Sequence, residues 1–256
     1  MISIVIAYYN RKKLFIETLK SITKSAYKDF EVIAVDDASL SKERIEDLKT
    51  EFPFLKVVRV EKENKWYHNS CIPFNMGLAN ASGDIIILQN PECLHIHDIL
   101  SHVVETVNDS NYVSMSAYAI NESLTKVLPM LNKKAFFECL PQRRCTDYNG
   151  WYNHSIHNPT HYHFCAALTR KNITALGGFD ERFADGIAFE DNEFIDRVNR
   201  LGLNKIISDD ISVIHQWHPR VFKLEIPEHL ILWEINTALY EQTKGETICK
   251  VKNSYE

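Results

Sequence analysis

Three groups of side chains in this sequence have the types and spacing to do chemistry on a charged small molecule. The first follows three short apolar runs: Tyr8-Tyr9-Asn10-Arg11, Asp36-Asp37-Ala38-Ser39 and Gln89-Asn90-Pro91-Glu92. Asp37 can accept from the N–H of a base, and Glu92 can ligate a divalent cation. The plainer alternatives are a turn with a helix N-cap for Asp36-Asp37 and a solvated loop acid for Glu92. The second group is Gly177-Gly178-Phe179-Asp180, followed by Phe189-Glu190-Asp191-Asn192-Glu193-Phe194. On a helix Asp191 shares a face with Phe194, Ile195 and Val198. An acid near the positive helix end gains about 0.3–1 kcal/mol, and Glu190 and Glu193 supply that from the outside. The inward position of Asp191 suits a general base. The third group is His215-Gln216-Trp217-His218. On a strand His215 and Trp217 would share one face and His218 would take the other. Trp151 and His154, in an aromatic-rich stretch, offer either acceptor contacts or plain packing.

These groups need a scaffold that brings the ends of several strands together. Apolar runs at 2–7, 30–35, 55–60, 85–88 and 112–120 read as strands, and helical spacing marks 11–24, 42–49, 69–80 and 97–107. Repeated βα units of this length predict an α/β fold with a mostly parallel sheet flanked by helices. In such a sheet ligands bind beyond the carboxyl ends of the strands, which is where the first group lies. From 121 to 162 periodicity is weak, which predicts a functional loop, a lid or an insertion. The segment 150–163 is the candidate lid. Regular structure resumes at 164–169, 189–201 and 211–215. A last helix over 228–240 carries Leu230, Leu232, Ile235 and Leu239 as core residues or as a docking face. No linker or repeat divides the chain, so 1–256 reads as one domain.

Bulk properties narrow the choice. Apolar residues at 45% and charged residues at 25% are ordinary for a globular chain. A net charge of −5 gives no basic face for nucleic acid. Six scattered cysteines without a C-x-x-C pair read as reduced thiols of a cytoplasmic protein. No run approaches 18 apolar residues, so no transmembrane segment is expected, and peripheral membrane attachment is the alternative to a free cytoplasmic life. There is no G-x-G-x-x-G after the first strand and no P-loop.

Taken in order, the groups resemble the GT-A glycosyltransferases of family 2. The resemblance runs from Val5-Ile6-Ala7-Tyr8-Tyr9-Asn10 through Asp36-Asp37-Ala38-Ser39 and the stretch from Asn75 to Asp84. It continues in Ile85 to Glu92 and ends in Gly177-Gly178-Phe179-Asp180 with Glu190-Asp191, a region also similar to galactosyltransferase C-terminal regions. It implies a GT-A domain with a nucleotide-binding half at 1–120 and an acceptor and catalytic half at 121–256. Ala7, Tyr9, Asp37, Asn75 and Asn90 would serve the nucleotide, and Glu92 with His215 a divalent metal, Mn²⁺ ahead of Mg²⁺. Asp191 would be the base of an inverting transfer of a hexose from a UDP-sugar to a glycan or protein-linked sugar. Trp151, His154, Glu190 and His218 would face the acceptor or form the lid. Two departures stand out: the family's D-x-D reads Asn90-Pro91-Glu92, and Phe74 replaces a common arginine. They leave room for a non-catalytic nucleotide-sugar-binding domain, or for a docking module of a glycan-assembly system.

Overall fold

The computed structural model describes residues 1–220 and 222–253. The N-terminal run folds into the middle of a sheet because its residues are apolar on both faces. Strand β1 (Ile2–Tyr8) is buried almost throughout, as parallel strands covered on both sides must be. It is followed by helix α1 (Lys12–Ile22), strand β2 (Phe30–Asp37) and strand β3 (Leu55–Val60). Then come α2 (Cys71–Asn80), β4 (Ile85–Gln89), β5 (Cys93–His95), α3 (Ile99–Thr106) and β6 (Asn111–Ala119). The later part contains α4 (Glu122–Val127), α5 (Lys133–Glu138), β7 (Gly150–Asn153), β8 (Cys165–Thr169) and α6 (Arg170–Leu176). It closes with α7 (Glu190–Arg200), β9 (Asn204–His215) and α8 (Pro227–Thr243).

The strands form one nine-stranded sheet in the order β3-β2-β1-β4-β8-β6-β9-β5, with β7 paired to β6. β1 pairs in parallel with β2 and β4, and β3 extends that block beside β2. β6 and β9 form the other parallel pair. The antiparallel strand β8 joins the two blocks by pairing with both β4 and β6. The expected α/β fold is therefore present, as a mixed, mostly parallel sheet with helices against it. Apolar clusters lie on both faces of the first block, one around Ile4, Ile6 and Phe15, the other around Val5, Phe74, Phe179 and Phe194.

Several expectations need correction. Instead of a helix, 42–49 contains two short 3-10 turns, Ser41–Glu43 and Glu46–Thr50. The weakly periodic stretch is not structureless. Its α4 and α5 begin at Asn121 and Asn132, whose side chains accept from Leu124 and Ala135 N–H as N-caps. The proposed lid at 150–163 begins as strand β7 inside the sheet. On α8, Leu230 and Ile235 are 38% and 43% exposed rather than core.

Candidate active site

The carboxyl ends of β1, β2 and β4 surround a cleft of about 440 Å³, closed on the far side by α7 and α8. β1 ends at a tight turn in which Asn10 has φ 50°. The turn sends Tyr9 toward the cleft and Arg11 toward the end of β4. After β2 the two aspartates separate. Asp36 is buried, accepts from the Ser39 N–H at 3.0 Å and from Arg59 at 2.8 Å, and so does the turn-forming work. Asp37 lines the cleft, where its Oδ1 accepts from the Tyr67 hydroxyl and its Oδ2 from the Lys65 ammonium, both at 2.7 Å. That ammonium also sits 4.9 Å over the Tyr9 ring.

The turn between β4 and β5 buries Glu92, which is 1% exposed. A buried carboxylate must be paired to persist, and this one is paired on both oxygens. Arg11 Nη1 donates to Oε2 at 2.7 Å. The Nε2 atoms of His215 and His218 lie 3.0 and 3.3 Å from Oε1. Burial alone would raise the carboxyl pKa, but Arg11 and the two imidazoles outweigh it and hold Glu92 well below the usual range. Strand geometry placed His215 and His218 on opposite faces. They converge because β9 ends at His215, and the alternation rule ends with it. The chain is then held by the Gln216 N–H donating to the Glu92 carbonyl and the Trp217 N–H to Thr125.

Glu92, His215 and His218 offer three ligand atoms that all lie within 4.8 Å of one another. The donor set fits a divalent ion, since one carboxylate oxygen and two imidazoles are what Mn²⁺ and its neighbours accept. Among the described residues His215 Nδ1 is buried without a partner, which leaves the tautomer free to present Nε2 as an acceptor.

On the far wall Asp191 and Glu190 begin α7. The helix follows two left-handed non-glycine residues, Ala188 at φ 65° and Phe189 at φ 69°. Such backbone costs on the order of 1–3 kcal/mol per residue and persists only where surroundings enforce it. The enforcement comes from α8: Asn236, fully buried, donates to the carbonyls of Phe183 and Ala188. The Ile187 N–H donates to the Leu232 carbonyl. Gly186 passes so close that an added Cβ would lie 2.3 Å from Asn236 Oδ1. Glu190 is held by Asn69 at 2.8 Å and Ser70 at 2.9 Å. Burial, then the neighbouring Asp191 charge, push its carboxyl pKa up. Asp191 Oδ1 abuts Nδ1 of His163.

Of the residues singled out from sequence, Ala7, Tyr9, Asp37, Asn90, Glu190 and Asp191 line this cleft. Glu92 and His215 stand behind it. His218, with Arg11 and Tyr9, borders a neighbouring cavity of about 410 Å³. Asn75 does not line the cleft. Its side chain is spent on Phe179 N–H and carbonyl and on Glu181, locking α2 to the Gly177-Gly178 turn. Trp151 and His154 also lie elsewhere. Trp151 packs against Tyr118 and donates to Gln142, and His154 packs at a tilt on Trp151 beside Asp209. Glu193, expected outside, is buried in a pair with Arg197. Sequence reasoning missed Lys65, Tyr67 and His163, which all line the cleft. The only available signal was a cluster of aromatic and histidine residues in segments without periodicity.

Residues 3–176 match the model of the family described as glycosyl transferase family 2. The chain belongs to that family. Among curated relatives, the uncharacterized glycosyltransferase YfnE of Bacillus subtilis (strain 168) is 25% identical over 262 residues, covering 85% of this chain and 65% of YfnE. Chondroitin synthase of Escherichia coli is 26% identical over 248 residues, 85% of this chain and 35% of the synthase. This family 2 chain thus spans between about a third and two thirds of the length of those two relatives. Among solved structures, S. aureus TarS 1-349 in complex with UDP superposes with a TM-score of 0.60 at 15% identity, covering 96% of this chain and 70% of that one. Mannosyltransferase PcManGT from Pyrobaculum calidifontis, in complex with GDP-Man and Mn²⁺, gives 0.56 at 17% identity over 93% of this chain and 64% of that one. These likenesses establish the GT-A fold. The matched segment ends at 176, so α7, β9 and their site residues lie beyond it. Among the described residues no helix is long and apolar enough to cross a membrane.

Proposed function

We propose that this chain transfers a hexose from a UDP-sugar to an acceptor hydroxyl, with inversion at the anomeric carbon. The observation that carries the reading is one cleft with Asp37 on its β2 wall and Asp191 on its α7 wall, beside the Glu92 cluster. Asp37, oriented by Tyr67 and Lys65, accepts from an N–H of the base, and Tyr9 supplies an aromatic face. Asp191 takes the acceptor proton as the hydroxyl attacks the face opposite the leaving group. Glu92, His215 and His218 would hold a divalent ion, Mn²⁺ rather than Mg²⁺ on this donor set, whose role is Lewis-acid stabilisation of the diphosphate leaving group. The UDP and UDP-GlcNAc complexes of TarS and the GDP-Man and Mn²⁺ complex of PcManGT support a nucleotide-sugar donor. The galactosyltransferase-like Gly177 to Asp191 region supports a hexose.

Calorimetric titration with UDP and GDP, with and without Mn²⁺, tests the donor side. The expected result is UDP-selective, Mn²⁺-dependent binding, followed by transfer in a screen of UDP-sugars. Absence of binding to either nucleotide under any metal condition overturns the reading. One observation favours a second reading: Arg11 already neutralises the one carboxylate at the D-x-D position. A non-catalytic nucleotide-sugar-binding domain would bind UDP tightly yet transfer nothing.

A further inference from the structure

We propose that His163 is a positioning residue for Asp191, clamping one carboxylate oxygen so that the other meets the acceptor hydroxyl. The inference rests on the reading of Asp191 as the base and adds a residue to it. Asp191 Oδ1 is out of solvent and, among the described residues, lacks a hydrogen-bond partner of ordinary geometry. Nδ1 of His163 abuts it. The Asp191 side chain is nevertheless 29% exposed and lines the cleft, so its accessible part lies away from the clamped oxygen.

The imidazole is itself fixed. It is 5% exposed and stands edge-on to Phe74 at 4.7 Å and to Phe179 at 5.0 Å. Those two phenyl rings stack on each other at 5.0 Å. The backbone on either side is anchored: the Tyr112 hydroxyl donates to the His161 carbonyl, and the Asn90 N–H donates to the Phe164 carbonyl. A ring held in this way can hold a carboxylate in turn. A carboxylate on the first turn of a helix otherwise swings about two torsions, and a base that swings loses the alignment proton transfer requires.

The charges around the ring have a definite sign. Burial lowers the imidazole pKa, but Asp191 beside it and Glu190 one residue away raise it above its ordinary value. Phe74 of α2 and Phe179 bring no charge. Nearby titratable groups include the Tyr112 and Tyr162 hydroxyls, both held neutral by pKa values raised through burial and the Asp191 charge, and the Cys71 and Cys165 thiols, which burial pushes up.

The test is kcat and donor KM for the unaltered protein, His163→Phe, His163→Asn and Asp191→Asn. Phenylalanine keeps a ring between Phe74 and Phe179 without a donor; asparagine restores an N–H near the Nδ1 position. The expected result for His163→Phe is a kcat lower by about 10- to 100-fold, the worth of one hydrogen bond to a charged group. Its donor KM stays unchanged. His163→Asn should recover most of the rate. An unaltered kcat in His163→Phe, or equal losses in both variants, overturns the inference. Asp191→Asn at near-normal turnover overturns the base reading itself, whatever His163 does. Should His163→Phe fail to fold, the nitrogen-bound ring proton of His163 in the unaltered protein decides. A downfield resonance that vanishes in Asp191→Asn supports the clamp, and its absence overturns it.

Discussion

The charge on Glu92 sets how this site responds to substitution and to acid. The carboxylate is buried under Arg11, His215 and His218, so Glu92→Gln leaves three cationic or ionisable groups facing one another. The expected cost in the metal-free protein is about 3 kcal/mol, the usual penalty for breaking a buried pair. The folded-state pKa lies well below the ordinary 4.5. The stabilisation is therefore complete above pH 4.5 and is lost as pH falls through the depressed value. Urea unfolding of both proteins should show a gap at neutral pH that narrows in acid; a gap constant with pH would refute the assignment. At the far wall, Asp191→Asn should lower kcat by about 10²- to 10⁴-fold while UDP binding stays intact. Asp37, Glu92 and Asp191 were legible in the sequence because each sits at a position that topology dictates, a strand end or an apolar helix face. Lys65, Tyr67 and His163 were not, since a side chain delivered by an irregular segment leaves no periodic trace.

The element that aims Asp191 is a turn that pays for left-handed backbone at Ala188 and Phe189 with hydrogen bonds from α8. Gly186→Ala would drive a methyl group to 2.3 Å from Asn236 Oδ1, forcing the turn or the helix to move. The expected outcome is a kcat lower by about 10²-fold, the effect of roughly 1 Å of misplacement, with nucleotide affinity unchanged. Asn236→Ala should act in the same direction and cost about 1–3 kcal/mol, because the carbonyls of Phe183 and Ala188 lose a buried donor. Unaltered kinetics in both variants would separate the turn from catalysis. Periodicity located α7 within about one residue of each end, but it gave no hint of the turn before it. Asn236, which holds that turn, lies 48 positions beyond Ala188. The misread helix at 42–49 has a related cause: Ile45 and Leu48 are buried without a continuous stripe around them, and the backbone settles for 3-10 turns.

Across the whole molecule, the parallel block β3-β2-β1-β4 was legible as near-continuous apolar runs separated by helices, whereas β6, β8 and the end of β9 were legible as elements but not in their pairing. The other half is joined through antiparallel β8, with β5 and β9 pairing at the far edge. Short strands such as β5 and β7, of three and four residues, carry too little pattern to place before their partners are known. The two halves bring different walls to the cleft, so they should fail separately. Removing the chain from Pro227 onward should abolish transfer yet leave UDP binding at the β1–β2 wall, as equilibrium titration would show. Loss of both would mean that α8 supports the entire sheet. The dependence of the turn on α8 also has a consequence during synthesis. Domains fold as units during synthesis, and this one cannot complete the turn before α7 until α8 has left the ribosome. Asp191 is not aimed until Asn236 has emerged and docked. On the reading of Asp191 as the base, a growing chain would be inert toward acceptors until this late segment has been made.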